Sequence, residues 1–553
     1  MKTLQITFAC LILLVGQVVL SDAKDPEPVI VPAPEGGSTN WGHSVDVSGT
    51  TLIAGYTSYV GNGGGVFILE QKGKKWDLLN HFQTPNVQMR DWFGHAVAIS
   101  GNTAVVSGYE FGGKKETAGN CGPGPCLGAG KGRVYIYKRT GPKGFDPVED
   151  FVADDAQNDD RFGYAIDLSG EKLLVVGSPY HDEQKGAVYV YELEGDNWVQ
   201  KVKLQADDAA PRARLGWDVA VDATTIAAGA PLSAAPDRNS GAAYVFKRRG
   251  DDWVQVAKLT AEDGDGGDAF GTSIDVSKSR VIVGANKDEN AENKRGSGSA
   301  YIFGSVGDTY TQEAKLNAEE LQEGAGFGLT VALDVNRALV GAPSTDTKVG
   351  DDSGAAYAFL KVGTDWVLQG TIIPEKGPNE AVGLTSGDNM GSAVAIDGEF
   401  GRNFNFAAVG VQWDATDNGA DQGSVYIFDT EDEDSLNLPL SVEPRGDLAL
   451  TMFGDIKRTA LLQNFPNPFN PETWIPYTLA DDAEVSVVIY DIQGKLVRQL
   501  DVGQQSAGNY LSRETAVYWN GKDRLGGSVS SGVYFYTLKA DAFSDTRRMV
   551  ILK

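Results

Sequence analysis

Cysteine is nearly absent from these 553 residues: there are three. Cys10 falls inside an apolar stretch at the N-terminus, which leaves Cys121 and Cys126, too few for a disulfide-built scaffold or a thiolate metal centre. Histidine is as scarce, with four residues, so zinc chemistry and imidazole acid–base catalysis have little to draw on. No nucleophile elbow, zinc motif or phosphate-binding loop occurs. Beyond Leu4 to Leu20 no apolar run is long enough to cross a bilayer as a helix. Positive charge is short too, 48 basic against 75 acidic residues, for a net −27. A surface of that sign repels nucleic acid and anionic lipid, and suits cationic partners or divalent ions. The imbalance is local. From Arg458 onward basic and acidic residues balance at ten each, so the whole net charge belongs to residues 1–457.

Glycine is plentiful, and its placement is periodic. Trp41, Phe93, Phe162, Leu215, Phe270, Phe327 and Met390 are each followed by glycine, at successive spacings of 52, 69, 53, 55, 57 and 63 residues. Self-similarity at such a period marks a radial or stacked array. The repeat anchored at Phe270 shows its parts: Thr272 to Val276, Arg280 to Ala285, a polar loop, Ser299 to Phe303, and Tyr310 to Leu316. Four short alternating runs broken by Gly, Asp and Asn are antiparallel strands with turns, and four such strands make one propeller blade. The third run carries Gly-x-x-Tyr at Tyr135, Tyr189, Tyr244, Tyr301, Tyr357 and Tyr426. Those rings are expected to pack between neighbouring blades.

The register of the ends predicts closure. Phe82, Phe151, Leu204, Leu259 and Leu316 end fourth runs, and each lies 11 residues before the next anchor. The seventh repeat stops after Phe428 without a fourth run, whereas Ile30 lies 11 residues before Trp41. Val29 to Val31 is therefore expected to complete blade seven, removing an open sheet edge. The expected fold is all-β: a seven-bladed propeller over 24–428, an acidic linker over 429–457, and a small β-sandwich over 458–553. Residues 1–23, with Lys2, the apolar stretch and Ser21-Asp22-Ala23, read as a removable signal peptide. In an exported protein Cys121 and Cys126 are expected to close a small disulfide loop inside the longest repeat.

The recurring motif set resembles the FG-GAP repeats of integrin alpha subunits and, more closely, of bacterial FG-GAP proteins, which carry Phe-Gly, Val-Gly-Ala-Pro and Gly-x-x-Tyr-x-Phe in each repeat; the resemblance covers about 36–428. The tail carries Asn467-Pro-Phe-Asn-Pro471, Tyr490-Asp-Ile-Gln-Gly494, Trp519-Asn-Gly-Lys-Asp523, Ser531-Gly-Val-Tyr-Phe535 and Met549-Val-Ile-Leu-Lys553. It resembles the C-terminal sorting domain of the bacterial type IX secretion system and the related FlgD-type immunoglobulin-like domain. That likeness implies passage through an outer membrane and contact with secretion machinery.

Integrin-type repeats hold calcium in loops of closely spaced oxygens, so acidic turns are the candidate metal sites. They are Asp414, Asp417, Asn418 and Asp421; Asp288, Asn290 and Glu292; and Asp263, Asp265 and Asp268. A solvated turn explains each equally well, since Asp and Asn favour turns. Catalysis has less support. His43 and His95 each follow an anchor glycine, where other repeats place Tyr164, Trp217, Thr272, Leu329 and Ser392, so that position is read as tolerant scaffold. His181 lies with Asp182 and Glu183, a weak metal or acid–base hint that is read as a surface turn, and His81 brings no partner motif. The expected function is non-enzymatic: an exported binding or adhesion protein recognising an extracellular protein or glycan through propeller loops. The alternatives are a carbohydrate-active enzyme using face carboxylates and a structural surface-layer component.

Overall fold

The computed structural model describes residues 40–57, 64–72, 75–83, 92–109, 130–141, 144–234, 239–289, 294–318, 321–347, 350–372, 386–397, 406–412, 423–429, 459–461, 464, 472–510, 515–524, 526–541 and 543–551. The signal segment, the expected closing strand 29–31, Cys121, Cys126 and the acidic linker lie outside them.

Each repeat folds into one antiparallel sheet in simple up-and-down order. The first sheet is Asn40–Ser48, Thr51–Thr57, Gly65–Lys72 and Lys75–Gln83. Five more four-stranded sheets begin at Phe93, Ile166, Val219, Ser273 and Thr330, and the last of the series has three strands, Met390–Asp397, Phe406–Val411 and Ser424–Asp429. The arrangement is all-β and propeller-like. Second strands such as Leu173–Ser178 are apolar throughout and buried on both faces, as central strands must be. Fourth strands such as Asp252–Leu259 mix exposed and buried residues and form the outer edge. A register shift recurs where the fourth strand meets the third, at Val190/Tyr191, Val245/Phe246 and Ile302/Phe303, so each outer strand is bulged at the same place.

The periodic glycines are explained by the joints between sheets. A Cβ on Gly177 would lie 2.2 Å from the carbonyl oxygen of Gly216, and one on Gly229 would lie 2.0 Å from that of Gly271. Second-strand glycine therefore meets the anchor glycine of the next sheet backbone to backbone, and any side chain would force the sheets apart. The anchor rings fill the layer beside this joint. Phe162 packs among Val105, Val134 and Ile136 of one sheet and Leu174, Val176 and Tyr189 of the next. Its ring meets Tyr189 edge-on at 5.5 Å.

The same joint links the two ends of the series. A Cβ on Gly410 would lie 2.1 Å from the carbonyl oxygen of Gly42. Val45, Leu52, Ala54 and Phe67 of the first sheet share one core with Ala393, Ala408 and Val425 of the last. The first and last sheets are thus neighbours, through side chains and backbone of residues well inside the described chain.

A second compact unit holds the C-terminal strands. Leu496–Gln505, Ala483–Asp491, Gly532–Ala540 and Phe543–Ile551 form one sheet, in that order. Facing strands come from Ala460–Leu461, Tyr477–Leu479 and Gly508–Tyr510, and from Thr473–Ile475 with Val517–Trp519. The apolar run from Ile475 to Leu479 is divided between two strands in different sheets. Pro476 separates them, because it has no N–H to donate to a ladder. The tail motifs are local structural devices. Trp519 donates its indole N–H to the Lys522 carbonyl at 2.9 Å. Asp491 Oδ1 accepts from the N–H groups of Gln493 and Lys495, which shapes the Tyr-Asp-Ile-Gln-Gly turn. Asn464 is fully buried; its N–H donates to Tyr536 Oη and its side chain to Thr473 Oγ1.

Candidate functional site

The innermost strands of the series surround a cavity of about 1830 Å³. Its wall is built from first strands whose cavity-side edges have no strand partner among the described residues, so their N–H groups need other acceptors. Carboxylates supply them. Asp46 Oδ1 accepts from Val47 N–H at 2.8 Å, and its Oδ2 accepts from Ile99 N–H, in the second sheet, at 2.7 Å. Asp167 does the same for Leu168 and Val221, Asp218 for Val219 and Ile274, and Asp275 for Val276 and Leu333. Asp397 in the last sheet accepts from Gly49 N–H in the first. Each aspartate staples its own sheet to the next.

Lining a confined cavity together raises the cost of their charge. Burial pushes Asp46 up to about 8, with Asp167 and Asp397 adding repulsion and the two backbone bonds opposing it. Burial likewise pushes Asp218 up to about 7 and Asp167 to about 6, and it raises Asp275.

At the anchor end the lining changes character. The second residue after each anchor is His43, His95, Tyr164 and Trp217 in the first four sheets, then Thr272, Leu329 and Ser392. Consecutive sheets are spatial neighbours, so the ring-bearing residues form one continuous arc. A hydrogen-bond relay fixes it. Gln412 Nε2 donates to His43 Nδ1 at 3.2 Å, which leaves His43 Nε2–H to donate to His95 Nδ1 at 3.0 Å. His95 then hydrogen-bonds the Tyr164 backbone. Burial lowers His43 to about 4 and lowers His95 well below the usual imidazole range, so both are neutral at pH 7.

Two guanidinium groups complete the mouth. Arg161 lies 4.1 Å and Arg214 4.5 Å from the centroid of the Tyr180 ring, and Arg214 also lies 5.5 Å from that of Trp217. Gln184 Oε1 accepts from Arg214 Nε and Nη2 at 3.2 and 3.1 Å. Tyr109 meets His95 edge-on at 4.4 Å, and Trp92 stacks on Tyr109 at 5.7 Å. Several of these residues hold left-handed backbone: φ is 52° at Trp92, 54° at Arg161 and 62° at Arg214, and Asp182, Glu183 and Gln184 form three left-handed residues in a row. Such conformations disfavour side chains other than glycine.

The candidate metal turns form a separate feature. Asp263 and Asp288 converge on Tyr301 Oη, which lies 3.0 and 3.1 Å from their oxygens. Lys315 Nζ lies 2.7 Å from Asp263 and 2.8 Å from Asp288. Asp268 stands close by, raised to about 6 by burial first and then by neighbouring carboxylates, and it accepts from Asp265 N–H. The same device recurs as Asp155 with Tyr189 and Lys203, and as Asp208 with Tyr244 and Lys258. The Gly-x-x-Tyr hydroxyl thus donates to the turn that enters its own sheet, in addition to the packing expected of its ring. Asn290, Glu292, Asp414, Asp417, Asn418 and Asp421 lie outside the described residues. Among the described residues no group of three or more His, Cys, Asp or Glu side chains is arranged to hold a metal ion. His181, expected in a surface turn, is buried instead, with Nδ1 3.0 Å from Asp160 and Nε2 3.3 Å from Lys203.

Neither the arc nor the arginine pair was foreseen as a site. Its signal lay in the order of the repeats: the rings after the anchor occupy four consecutive repeats.

Residues 146–191, 198–246, 253–303 and 310–359 match the FG-GAP repeat family, and 472–544 match the FlgD Ig-like domain. The chain thus carries four FG-GAP repeats and a FlgD Ig-like domain. No curated protein matches it. Among solved structures it is similar to PorZ of Porphyromonas gingivalis, described as an essential surface component of the type IX secretion system. That alignment covers 95% of this chain and 61% of PorZ, at 14% identity and a TM-score of 0.42. This chain therefore spans about three-fifths of PorZ. A protein from Lactobacillus plantarum aligns over 62% of this chain and 86% of its own, at 14% identity and a TM-score of 0.40.

Proposed function

We propose that the chain is an exported binding protein of the cell surface or its surroundings: a closed seven-bladed propeller that recognises a ligand, joined to a module that engages secretion machinery. The supporting observation is the mouth, where half-buried rings and the Arg214 guanidinium line a cavity and Arg161 stands beside them on the Tyr180 ring. Concave sites with a few oriented polar groups among rings are where ligands bind. Binding is favoured over turnover because the relay engages both nitrogens of His43 and Nδ1 of His95, and His95 also hydrogen-bonds the Tyr164 backbone, so neither imidazole is left as a free base. The module reading rests on the sequence likeness of the tail, and export on the N-terminal segment.

The test is a screen of the purified full chain against glycans and extracellular matrix proteins, with product analysis of every glycan bound. Saturable binding without product is the expected result. Product formation abolished by a carboxylate substitution would replace this reading with an enzyme; silence against every ligand would favour a structural role.

A further inference from the structure

The arc occupies one side of the mouth and combines three chemistries. Tyr164 and Trp217 present rings 4.7 Å apart from adjacent sheets, with Tyr109 5.3 Å from Tyr164 on the other side. Gln184 and Gln412 supply neutral amides. Arg161 and Arg214 bring two positive charges to a domain that carries the whole net −27. Where the mouth continues past Trp217, the corresponding residues are Thr272, Leu329 and Ser392, so the chemistry is confined to one sector.

The scaffold does not require these side chains. The residue before each anchor is left-handed at Trp92, Arg161, Arg214, Ala269 and Asn389, and the sixth repeat places Gly326 there with φ 70°. Glycine adopts that conformation freely, and alanine serves in the fifth repeat. The second, third and fourth repeats carry a tryptophan and two arginines in this same conformation, and the left-handed turn Asp182 to Gln184 places the amide that holds Arg214. What distinguishes the sector is therefore the large side chains held there, which the fold does not need.

Resting on the binding reading above, we propose that this sector binds an acidic sugar, a pyranose bearing a carboxylate, at a chain end or as a single residue. The apolar face of a pyranose matches a partly exposed aromatic ring, its hydroxyls match neutral amides, and a carboxylate matches guanidinium. An acidic peptide would use the arginines and leave the rings and amides unmatched. The net negative charge of the domain, part of it on the cavity wall, slows approach of an anion, so association is faster in higher salt, the reverse of an electrostatically steered pair.

The experiment is calorimetric titration of the full chain with trigalacturonic acid and with N-acetylneuraminic acid, alongside maltotriose as neutral sugar and hexaglutamate as acidic peptide. At least one acidic sugar is expected to bind, and maltotriose at least tenfold more weakly. Arg214→Gly is expected to weaken the acidic sugar at least tenfold while the melting temperature holds or rises, because glycine relieves the left-handed strain. Arg161→Gln, which keeps length and removes charge, gives the same reading should the glycine variant not fold. Absence of binding by both acidic sugars overturns the proposal, as does equal binding by maltotriose or by both arginine variants. Hexaglutamate bound while the sugars are silent overturns the sugar and assigns the mouth to a protein partner. A ligand from the broader screen whose affinity ignores Arg214 and Arg161 overturns the mouth and leaves the binding reading standing.

Discussion

Asp46 gives the sharpest test of how the ring is held. Its carboxylate accepts two backbone N–H groups, yet burial pushes it up to about 8, against about 3.9 for an exposed aspartate. The folded protein therefore holds that proton where the unfolded chain has lost it. Stability from this group is full below about pH 4, falls as pH rises, and levels off above pH 8. Between pH 5 and 8 the linkage for an isolated group would be about 4 kcal/mol at about 1.36 kcal/mol per unit. Asp46 keeps part of its surface open to the cavity, and solvent there reduces the effect to about 2 kcal/mol. Asp167, Asp218 and Asp275 carry the same sign. Asp155, Asp208 and Asp263 are held low by lysine and tyrosine partners against the penalty of burial, so their contribution is lost only in more acid solution.

Asp46→Asn separates charge from hydrogen bonding. The amide must turn its NH2 toward either Val47 N–H or Ile99 N–H, which orphans one donor at a cost of about 1–3 kcal/mol at every pH. Charge is removed as well, so the variant no longer loses stability as pH rises. The variant is expected to be clearly less stable than wild type at pH 5.5 and close to it at pH 8.5, in urea unfolding of the full chain followed by tryptophan fluorescence. Only the change in the difference is diagnostic, since the hydrogen-bond loss cancels. Parallel profiles for the two proteins would refute the reasoning; the wild-type profile alone does not decide it, because buried neutral His43 and His95 contribute with the opposite sign below about pH 6.5 and cancel only in the difference.

Gly410→Ala should cost about 3 kcal/mol, because its Cβ would sit 2.1 Å from the Gly42 carbonyl oxygen, and Gly229→Ala, facing Gly271 at 2.0 Å, should cost about the same. Matching losses in thermal melts are expected if the first and last sheets meet as the interior sheets do. Lys315→Met leaves Asp288, 6% exposed, and Asp263 without their cation and should destabilise by about 2–3 kcal/mol, the lower end for a broken buried pair because the lysine is itself 24% exposed. Adding calcium to that variant tests the proposal that the turn accepts a metal: restored melting temperature supports it, and an unchanged one counts against it. Asn464→Ala removes a fully buried side chain bonded to Thr473 and should lower the C-terminal transition by about 2 kcal/mol, leaving the repeat-domain transition in place.

The sheets were legible in the sequence because their joints are made by backbone. Gly177 and Gly216, or Gly229 and Gly271, admit no substitute of any chemistry, so the pattern survives in letters. The split at Pro476 was legible too, had the missing N–H been weighed against an otherwise continuous apolar run. The aspartate staples were half visible. Asp46, Asp167 and Asp275 recur at one repeat position in alternate repeats, with Ala98, Ala220 and Ala332 between them, but their partners are backbone groups that no letter marks. In the metal turns, spacing along the chain could not reveal that Lys315 arrives from a neighbouring strand to sit between Asp263 and Asp288.

The mouth was missed for a different reason, which bears on how such rings evolve a site. Comparing one repeat position across all repeats treats His43, His95, Tyr164, Trp217, Thr272, Leu329 and Ser392 as a single tolerant column. In the folded ring the column is a circle, and its order is geometry: the four ring-bearing members are adjacent, and they meet Trp92, Arg161 and Arg214 from the position before the anchor. The joints fix every position that touches the next sheet. Freedom is left at the second residue after the anchor, which lines the cavity in every repeat, and at the residue before the anchor, which lines it at Arg214 and Ala269. A binding sector can therefore be written into a few consecutive repeats without disturbing the rest, at a cost of about 1 kcal/mol for each strained side chain. The fifth and seventh repeats hold Ala269 and Asn389 in the same conformation and the sixth avoids the cost with Gly326, so it is the size and chemistry of Trp92, Arg161 and Arg214, and not the strain, that sets one side of the ring apart.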